Sequence, residues 1–140
     1  MGILSDYFIA DPSPIPNYDG GENFAAVDKC QFRDISPLQG GQFLAVMRGQ
    51  EYQVGMINEF KLLTSEDAED WTMSVPQDFV NYLANLQADE IPSLAAKFAA
   101  ATAEELNWSR EDFIPVARDL SSLARRAIEK HQSMFLWNCV

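Results

Sequence analysis

The sequence predicts an α+β fold: a small, mainly antiparallel sheet with three or four helices packed on one face, and a long C-terminal helix followed by a terminal strand. The first observation is the helical period of the apolar residues between positions 109 and 131. The second is the run 134–137, which is apolar at every position, as in a strand covered on both faces. The chain has 140 residues, a common size for one domain, so we expect residues 1–140 to form a single domain.

The first half of the chain reads as a strand, a loop and one capped helix. Residues 3–10 alternate as a strand, and residues 11–21 carry the prolines and glycines of an exposed loop. Residues 23–32 are weakly strand-like. Ser36, Pro37 and Gln39 form a helix start with a capping box, and Gly49 is placed to end that helix. Gly40-Gly41 weakens the helix, so a strand over 43–47 is the competing interpretation.

The second half reads as a strand followed by three helices. Residues 50–65 give no clear pattern, although Phe60, Leu62 and Leu63 are expected to touch the core, and residues 66–70 form an acidic loop. A strand is predicted at 71–75, a helix at 76–87 and another from about 90 to 106.

The last helix has one apolar stripe and a capping-box pair, Ser109 and Asp112. Pro115 falls inside it, so its regular part is expected to begin nearer Asp112. The stripe consists of Phe113, Val116, Ala117, Leu120, Leu123, Ala124, Ala127 and Ile128.

The charge balance restricts the class of partner. The chain has 10 basic and 21 acidic residues, a net charge of −11. Such a protein repels phosphate backbones and anionic lipids, so we expect no nucleic acid and no membrane among its partners. A basic protein partner is favoured, and the chain itself is expected to be a monomer or a small homo-oligomer. Two cysteines, no signal peptide and no membrane-spanning run predict a cytoplasmic protein with free thiols.

No catalytic or metal-binding constellation stands out. Cys30 and His131 could form a nucleophile and base pair, but nothing local to either residue supports it, and His131 is better placed as a helix-end residue. The acidic stretch at 66–70 lacks the ligand spacing and central glycine of a calcium loop. The sequence therefore predicts no catalytic residue, no metal and no cofactor, and favours a protein that is not an enzyme.

A mixed-charge cluster is the strongest candidate for a binding site. Asp28, Lys29 and Asp34 precede the predicted helix start at Ser36, where charges can line a pocket at the end of a sheet. Surface ion pairing is the competing interpretation. Glu104 and Trp108 are added as candidate ligand- or partner-binding residues near the start of the last helix.

Several short blocks together resemble a known family. They are Met1-Gly2 with 5–8, Asp28-Lys29 with 34–38, and the segments 71–76, 99–106, 123–127 and 136–140. On these blocks the chain resembles a family of small, acidic bacterial proteins with no assigned activity. The resemblance implies a bacterial cytosolic origin and brings no activity, cofactor or site residue. Gln31-Phe32 departs from it, because the family has a glycine-containing turn there.

Two functional hypotheses follow from these observations. The first is a non-catalytic binding protein with an acidic surface, such as an immunity-type inhibitor of a basic partner. The alternative is a small-molecule enzyme or ligand-binding protein with a pocket near Asp28, Lys29 and Asp34.

Overall fold

The computed structural model describes residues 2–64 and 69–140, and it shows the predicted α+β architecture. The predicted acidic loop at 66–70 lies partly outside these ranges. The strands are β1 (Leu4–Ala10), β2 (Lys29–Arg33), β3 (Lys61–Leu62), β4 (Asp70–Ser74) and β5 (Ser133–Cys139). The helices are α1 (Pro37–Arg48), α2 (Gln77–Ala84), α3 (Ile91–Ala101) and α4 (Arg110–Lys130). The described strands form one antiparallel sheet in the order β2-β1-β5-β4-β3.

The first and last strands of the chain are neighbours at the centre of the sheet. β1 and β5 pair along their whole length, with Tyr7 opposite Leu136 and Phe8 opposite Phe135. Both strands are buried on both faces, which explains why their sequences are apolar at successive positions. The prediction of a terminal strand that is covered on both faces is therefore confirmed.

The two faces of the sheet are covered by different structures. Tyr7 and Leu136 face the four helices and belong to the main core. Phe8 and Trp137 face the other way, where they pack with Tyr18 from the segment between β1 and β2. The sequence predicted an exposed loop there, and this was wrong at Tyr18, which is only 1% exposed. The aromatic residues of the second face need a cover, and the loop provides it.

α1 is a helix, and the competing strand at 43–47 was wrong. Its capping box between Ser36 and Gln39 is present as predicted. Gly40 has a low helix propensity, but it allows Phe60 to pack closely against α1, because a Cβ at this position would lie 2.6 Å from the Phe60 ring. The helix ends at Gly49, whose φ of 66° is in the left-handed region.

α4 begins two positions earlier than expected, directly after its capping box at Ser109, and therefore contains Pro115. Its stripe is buried from Phe113 to Ala127, but Ile128 is 43% exposed and does not belong to the core. Leu62 was also expected in the core and is 38% exposed, because β3 is a short strand at the edge of the sheet.

Gly49→Ala is expected to lower the free energy of unfolding by about 1 kcal/mol, because alanine is strained in the left-handed conformation that ends α1. Gly55→Ala is the control, since Gly55 has open space around its Cα and no positive φ. Urea unfolding of both variants measures the difference. Equal stability of the two variants would contradict this explanation of the α1 terminus.

Candidate functional site

An open cavity at one end of the sheet contains two carboxylates, and we call it the acidic cavity. It has a volume of about 430 Å³. It is lined by Gly2, Ile3, Asp34, Ser36, Gln39, Glu105 and Leu106. These residues come from the start of β1, the entry to α1 and the connection between α3 and α4. The cavity therefore depends on three segments that are distant in sequence.

Asp34 is held in place by the chain that leads into β1. Its backbone N–H donates to the Ile3 carbonyl at 2.7 Å, and its Oδ1 accepts from the Ile3 N–H at 2.9 Å. The residue has a φ of 67°, a conformation that aspartate and asparagine adopt more readily than most residues. These contacts fix its carboxylate at the rim of the cavity.

Glu105 accepts a hydrogen bond from a buried side-chain amide. Gln42 of α1, only 6% exposed, donates from Nε2 to Glu105 Oε2 at 3.0 Å. Among the described residues, Gln42 Oε1 and the Tyr52 hydroxyl are buried without a hydrogen-bond partner. Burial, and secondarily the charge of Glu105, raise the pKa of Tyr52. The hydroxyl of Tyr52 therefore remains a protonated donor at neutral pH beside this carboxylate.

The structure places part of the predicted site in the acidic cavity. Asp34 lines the cavity, whereas Glu104 does not; its neighbour Glu105 is the lining residue, and both glutamates are exposed. Trp108 packs against Phe113, with 5.2 Å between ring centroids, and contacts the main core. α3 ends at Ala101, so helical spacing could not indicate which glutamate faces inward. The ligand- or partner-binding role of these residues stays a prediction.

Asp28 and Lys29 lie elsewhere, beside a groove between β2 and α4 that we call the β2–α4 groove. Asp28 accepts from Arg126 Nε at 2.6 Å, and Lys29 Nζ donates to the Gly21 carbonyl at 2.7 Å. The groove has a volume of about 540 Å³. It is lined by Ala26, Val27, Lys29, Cys30, Gln31, Asp119, Ser122, Leu123 and Arg126.

Lys29 and Asp34 therefore line two different cavities, and a ligand-binding role for Asp28, Lys29 and Asp34 stays a prediction. Asp28 immediately precedes β2 and Asp34 immediately follows it. An extended chain rises about 3.4 Å per residue, which separates the two carboxylates by roughly 20 Å. The three residues are close together in the sequence, but the strand that runs between Asp28 and Asp34 separates them in space.

Cys30 and His131 do not form a catalytic pair. The Cys30 thiol donates to the Asp119 carbonyl in the middle of α4, at 3.4 Å. His131 caps the end of the same helix, with a φ of 54°, roughly 18 Å further along at about 1.5 Å per residue. Burial, together with the nearby charges of Asp119 and Asp6, raises the pKa of Cys30 to about 12. This thiol is held in its unreactive, protonated form.

In a Cys139→Ser variant, the remaining Cys30 is expected to react with a thiol reagent at pH 8 about a thousandfold more slowly than a free thiol, because so little thiolate is present. Stopped-flow labelling measures the rate. The same variant in denaturant serves as control and should react at the ordinary rate, since unfolding removes the burial. Rapid labelling of the native variant would contradict the assigned environment.

Comparison of the chain with protein-family profiles, with curated proteins and with solved structures found no match in any of the three. Within residues 2–64 and 69–140, no group of three His, Cys, Asp or Glu side chains is arranged to hold a metal ion. In the same ranges, no helix has both the length and the apolar character needed to cross a bilayer.

Proposed function

We propose that this protein is a non-catalytic binding protein that receives a basic protein partner on its acidic surface. The observation that supports this most strongly is the way its charges are distributed. Among the described residues, most lysines and arginines contact a carboxylate or a backbone carbonyl, whereas exposed carboxylates such as Asp19, Glu22 and Glu104 form no ion pair.

The occupied basic residues are spread over the molecule. Arg48 contacts Glu59 at 2.7 Å and Asp78 at 2.9 Å, and its hydrogen bond lowers the pKa of Glu59. Arg126 and Lys130 both contact Asp28, at 2.6 Å and 3.7 Å. Further pairs are Arg110 with Glu111 and Arg118 with Asp119. Each of these contacts reduces the positive potential that the basic side chain presents to solvent.

The surplus of acidic residues is on the surface. Asp19 and Glu22 are exposed on the segment 11–28, which covers the second face of the sheet and contains no lysine or arginine. Glu104, Asp89 and Glu51 are exposed too. A surface of this kind attracts a positively charged protein and accelerates its association. An immunity-type inhibitor, which neutralises a basic toxin by charge complementarity, is one form of this function.

The test is capture of a partner from a bacterial lysate on the immobilised protein at low salt. The expected result is a retained protein with a basic surface, released as the ionic strength rises because screening weakens the attraction. The matched control is the same chain carrying Asp19→Lys and Glu22→Lys, which should retain less of that partner. Recovery of nothing at low salt, or retention that salt does not affect, would contradict the proposal.

A second candidate function is the binding of a small anionic ligand in the β2–α4 groove. The observation that favours it is the presence of Lys29 and Arg126 on the lining of a groove of about 540 Å³ in an otherwise acidic protein. A phosphate or carboxylate could compete with Asp28 for Arg126.

Thermal unfolding in millimolar inorganic phosphate tests this second function. Phosphate should raise the melting temperature of the wild type and not that of Arg126→Gln, because a ligand stabilises only the state that binds it. Arg118→Gln is the control, since Arg118 is exposed and lies outside the groove lining. An equal effect of phosphate on all three proteins would rule out the groove as the site.

A further inference from the structure

We infer that the free edge of β2, together with the β2–α4 groove beside it, binds an extended segment of another protein as an additional strand of the sheet. The segment has two acidic side chains that pair with the basic residues of β2 and apolar side chains between them that enter the groove. The inference goes beyond the proposed function, because it concerns a basic strand edge and not the acidic surface.

β2 lies at one edge of the sheet, where no described strand other than β1 pairs with it. Its register with β1 continues to Ile3 and Asp34, and the Asp34 N–H donates to the Ile3 carbonyl at 2.7 Å. In an antiparallel ladder, pairs that exchange backbone hydrogen bonds alternate with pairs that do not. Every second residue of β2, counted from Asp34, therefore bonds to β1. The backbone groups of the other residues point away from the sheet, and these residues are Lys29, Gln31 and Arg33.

This outward backbone is available for pairing. Within residues 2–64 and 69–140, no segment outside the sheet makes a backbone hydrogen bond to Lys29, Gln31 or Arg33. Free N–H and C=O groups on a strand edge are a template for a further strand, which gains affinity from the main-chain bonds. Three residues of this kind can bond to an extended segment of about five residues.

The β2–α4 groove runs beside this edge, and one side of α4 forms its far wall. Asp119, Ser122, Leu123 and Arg126 line it from positions three or four apart on that helix. Successive side chains of a strand point to opposite faces, so every second side chain of an added strand would point towards α4. The groove of about 540 Å³ has room for these side chains. Val27, 62% exposed on the lining, and Leu123 offer them apolar contacts.

The charges of β2 identify the occupant. Lys29 and Arg33 are the charged residues of this strand, which has no aspartate or glutamate although the chain carries a net charge of −11. Their side chains lie on the same face as that of Gln31, which donates to Asp6 Oδ2 at 3.1 Å on the side away from the helices. Opposite charges directly across two strands are favourable, and like charges are unfavourable. The residues opposite Lys29 and Arg33 are therefore expected to be aspartate or glutamate.

A second copy of the chain fits this edge less well. Two β2 strands paired antiparallel about Gln31 use all five residues of the strand, and this register sets Lys29 of each copy opposite Arg33 of the other. Basic residues on an edge strand are a common means of preventing such self-pairing. The two residues that disfavour a second copy are the same ones that favour an acidic segment.

The experiment is a ¹⁵N NMR titration of the full chain with an acetylated, amidated peptide that carries Glu-Val-Thr-Val-Glu between two terminal threonines. The peptide should shift the backbone amides of Lys29, Gln31 and Arg33, with a dissociation constant below about 1 mM. In the expected pairing the central threonine bonds to Gln31, whereas both valine N–H groups point away from β2. N-methylation of that threonine should weaken binding about tenfold or more, because it removes a donor from the ladder. N-methylation of one valine is the matched control and should change the affinity by less than about twofold.

Charge reversal tests the identity of the occupant. Arg33→Glu should weaken binding of the glutamate peptide about fivefold and strengthen binding of a peptide with lysine at both glutamate positions, because the cross-strand pair changes sign. Arg118→Glu is the matched control, since Arg118 is an exposed residue of α4 outside the groove lining and the variant has the same net charge. It should change both affinities by less than about twofold, because charges at a distance are screened.

Absence of shifts at about 2 mM peptide, equal losses with the two N-methylated peptides, or tighter binding of the lysine peptide to the wild type would overturn the inference. Shifts of Gln31 and Arg33 that grow with protein concentration in the absence of peptide would also overturn it, because they would assign the edge to a second copy. Inorganic phosphate bound at Arg126 should leave the Arg33 amide unshifted, which separates peptide binding from anion binding in the groove. Lysate capture of a basic partner does not require this edge, so the proposed function and this inference can fail separately.

Discussion

Phe98→Ala is expected to lower the free energy of unfolding by about 3–5 kcal/mol, the typical cost of removing a buried phenylalanine ring. Phe98 is fully buried on α3 and stacks on Phe43 of α1 with 3.9 Å between centroids. It also meets Phe113 of α4 edge-on at 6.2 Å. One ring thus joins three helices, and its loss leaves a cavity that none of them can fill alone. Urea unfolding followed by circular dichroism measures the effect.

Ile128→Ala is the control for Phe98→Ala. Ile128 follows the apolar period of α4 but is 43% exposed, so its truncation should change the free energy of unfolding by less than about 1 kcal/mol. A loss as large as that of Phe98→Ala would mean that Ile128 is part of the core, as the periodicity alone predicted. A loss below about 1 kcal/mol for Phe98→Ala would contradict the described packing of the three helices.

Tyr18→Ala is expected to cost a similar 3–5 kcal/mol, for a different reason. Tyr18 stacks on Phe8 at 4.4 Å and lies 5.3 Å from Trp137, so it covers the second face of the sheet. Its hydroxyl donates to Asp6 Oδ2 at 2.6 Å, which satisfies a carboxylate that is only 4% exposed. Burial and Asp6 raise the pKa of Tyr18, so the hydroxyl stays protonated and remains a donor. Removing the side chain should release the segment 11–28 from the sheet.

Tyr18→Phe separates the ring from the hydroxyl. It keeps the aromatic contacts and leaves Asp6 with the weaker donation from Gln31 Nε2 at 3.1 Å, so the expected loss is about 1–3 kcal/mol. Limited proteolysis should cut within 11–28 in Tyr18→Ala before the rest of the chain, and much less readily in Tyr18→Phe. Tyr82→Phe, at a half-exposed tyrosine of α2, should match the wild type in both measurements. Equal resistance of Tyr18→Ala and wild type would contradict the covering role of the loop.

The parts of the fold that were predictable are those whose cause is local. The capping boxes at Ser36 and Ser109 and the helix end at Gly49 are set by residues within one turn. The position of β5 follows from its apolar run, because only a strand covered on both sides hides every residue. These local preferences are realised in the folded protein because the tertiary contacts favour the same conformation.

The parts that were not predictable depend on distant contacts. Tyr18 was assigned to a loop by the prolines and glycines around it, and it is buried because the far side of the sheet needs a cover. Gly40 lowers the local helix propensity, but it leaves the space in which the ring of Phe60 packs against α1. Asp34 is a predicted binding residue, and its placement is fixed by a hydrogen bond from Ile3 across 31 positions, which the sequence does not indicate.

The choice between Glu104 and Glu105 shows the limit most clearly. Both lie after the end of α3, where the backbone has no helical period that could assign a face. The structure shows that Glu105 lines the cavity, where it accepts a hydrogen bond from Gln42, 63 positions earlier in the chain. Sequence spacing therefore led to the right turn of the chain but could not indicate which of the two carboxylates lines the cavity.

The most direct test of the proposed binding role is calorimetric titration of the captured basic partner into the wild type and into the Asp19→Lys/Glu22→Lys variant, each at low and at physiological ionic strength. Both positions are exposed on the segment 11–28. Reversing the two charges should weaken binding by about tenfold or more at low salt, because the partner then meets a less negative surface, and the difference should shrink as salt screens the charges. Equal affinities of the two proteins, or an affinity that salt does not change, would contradict a partner that binds through the acidic surface.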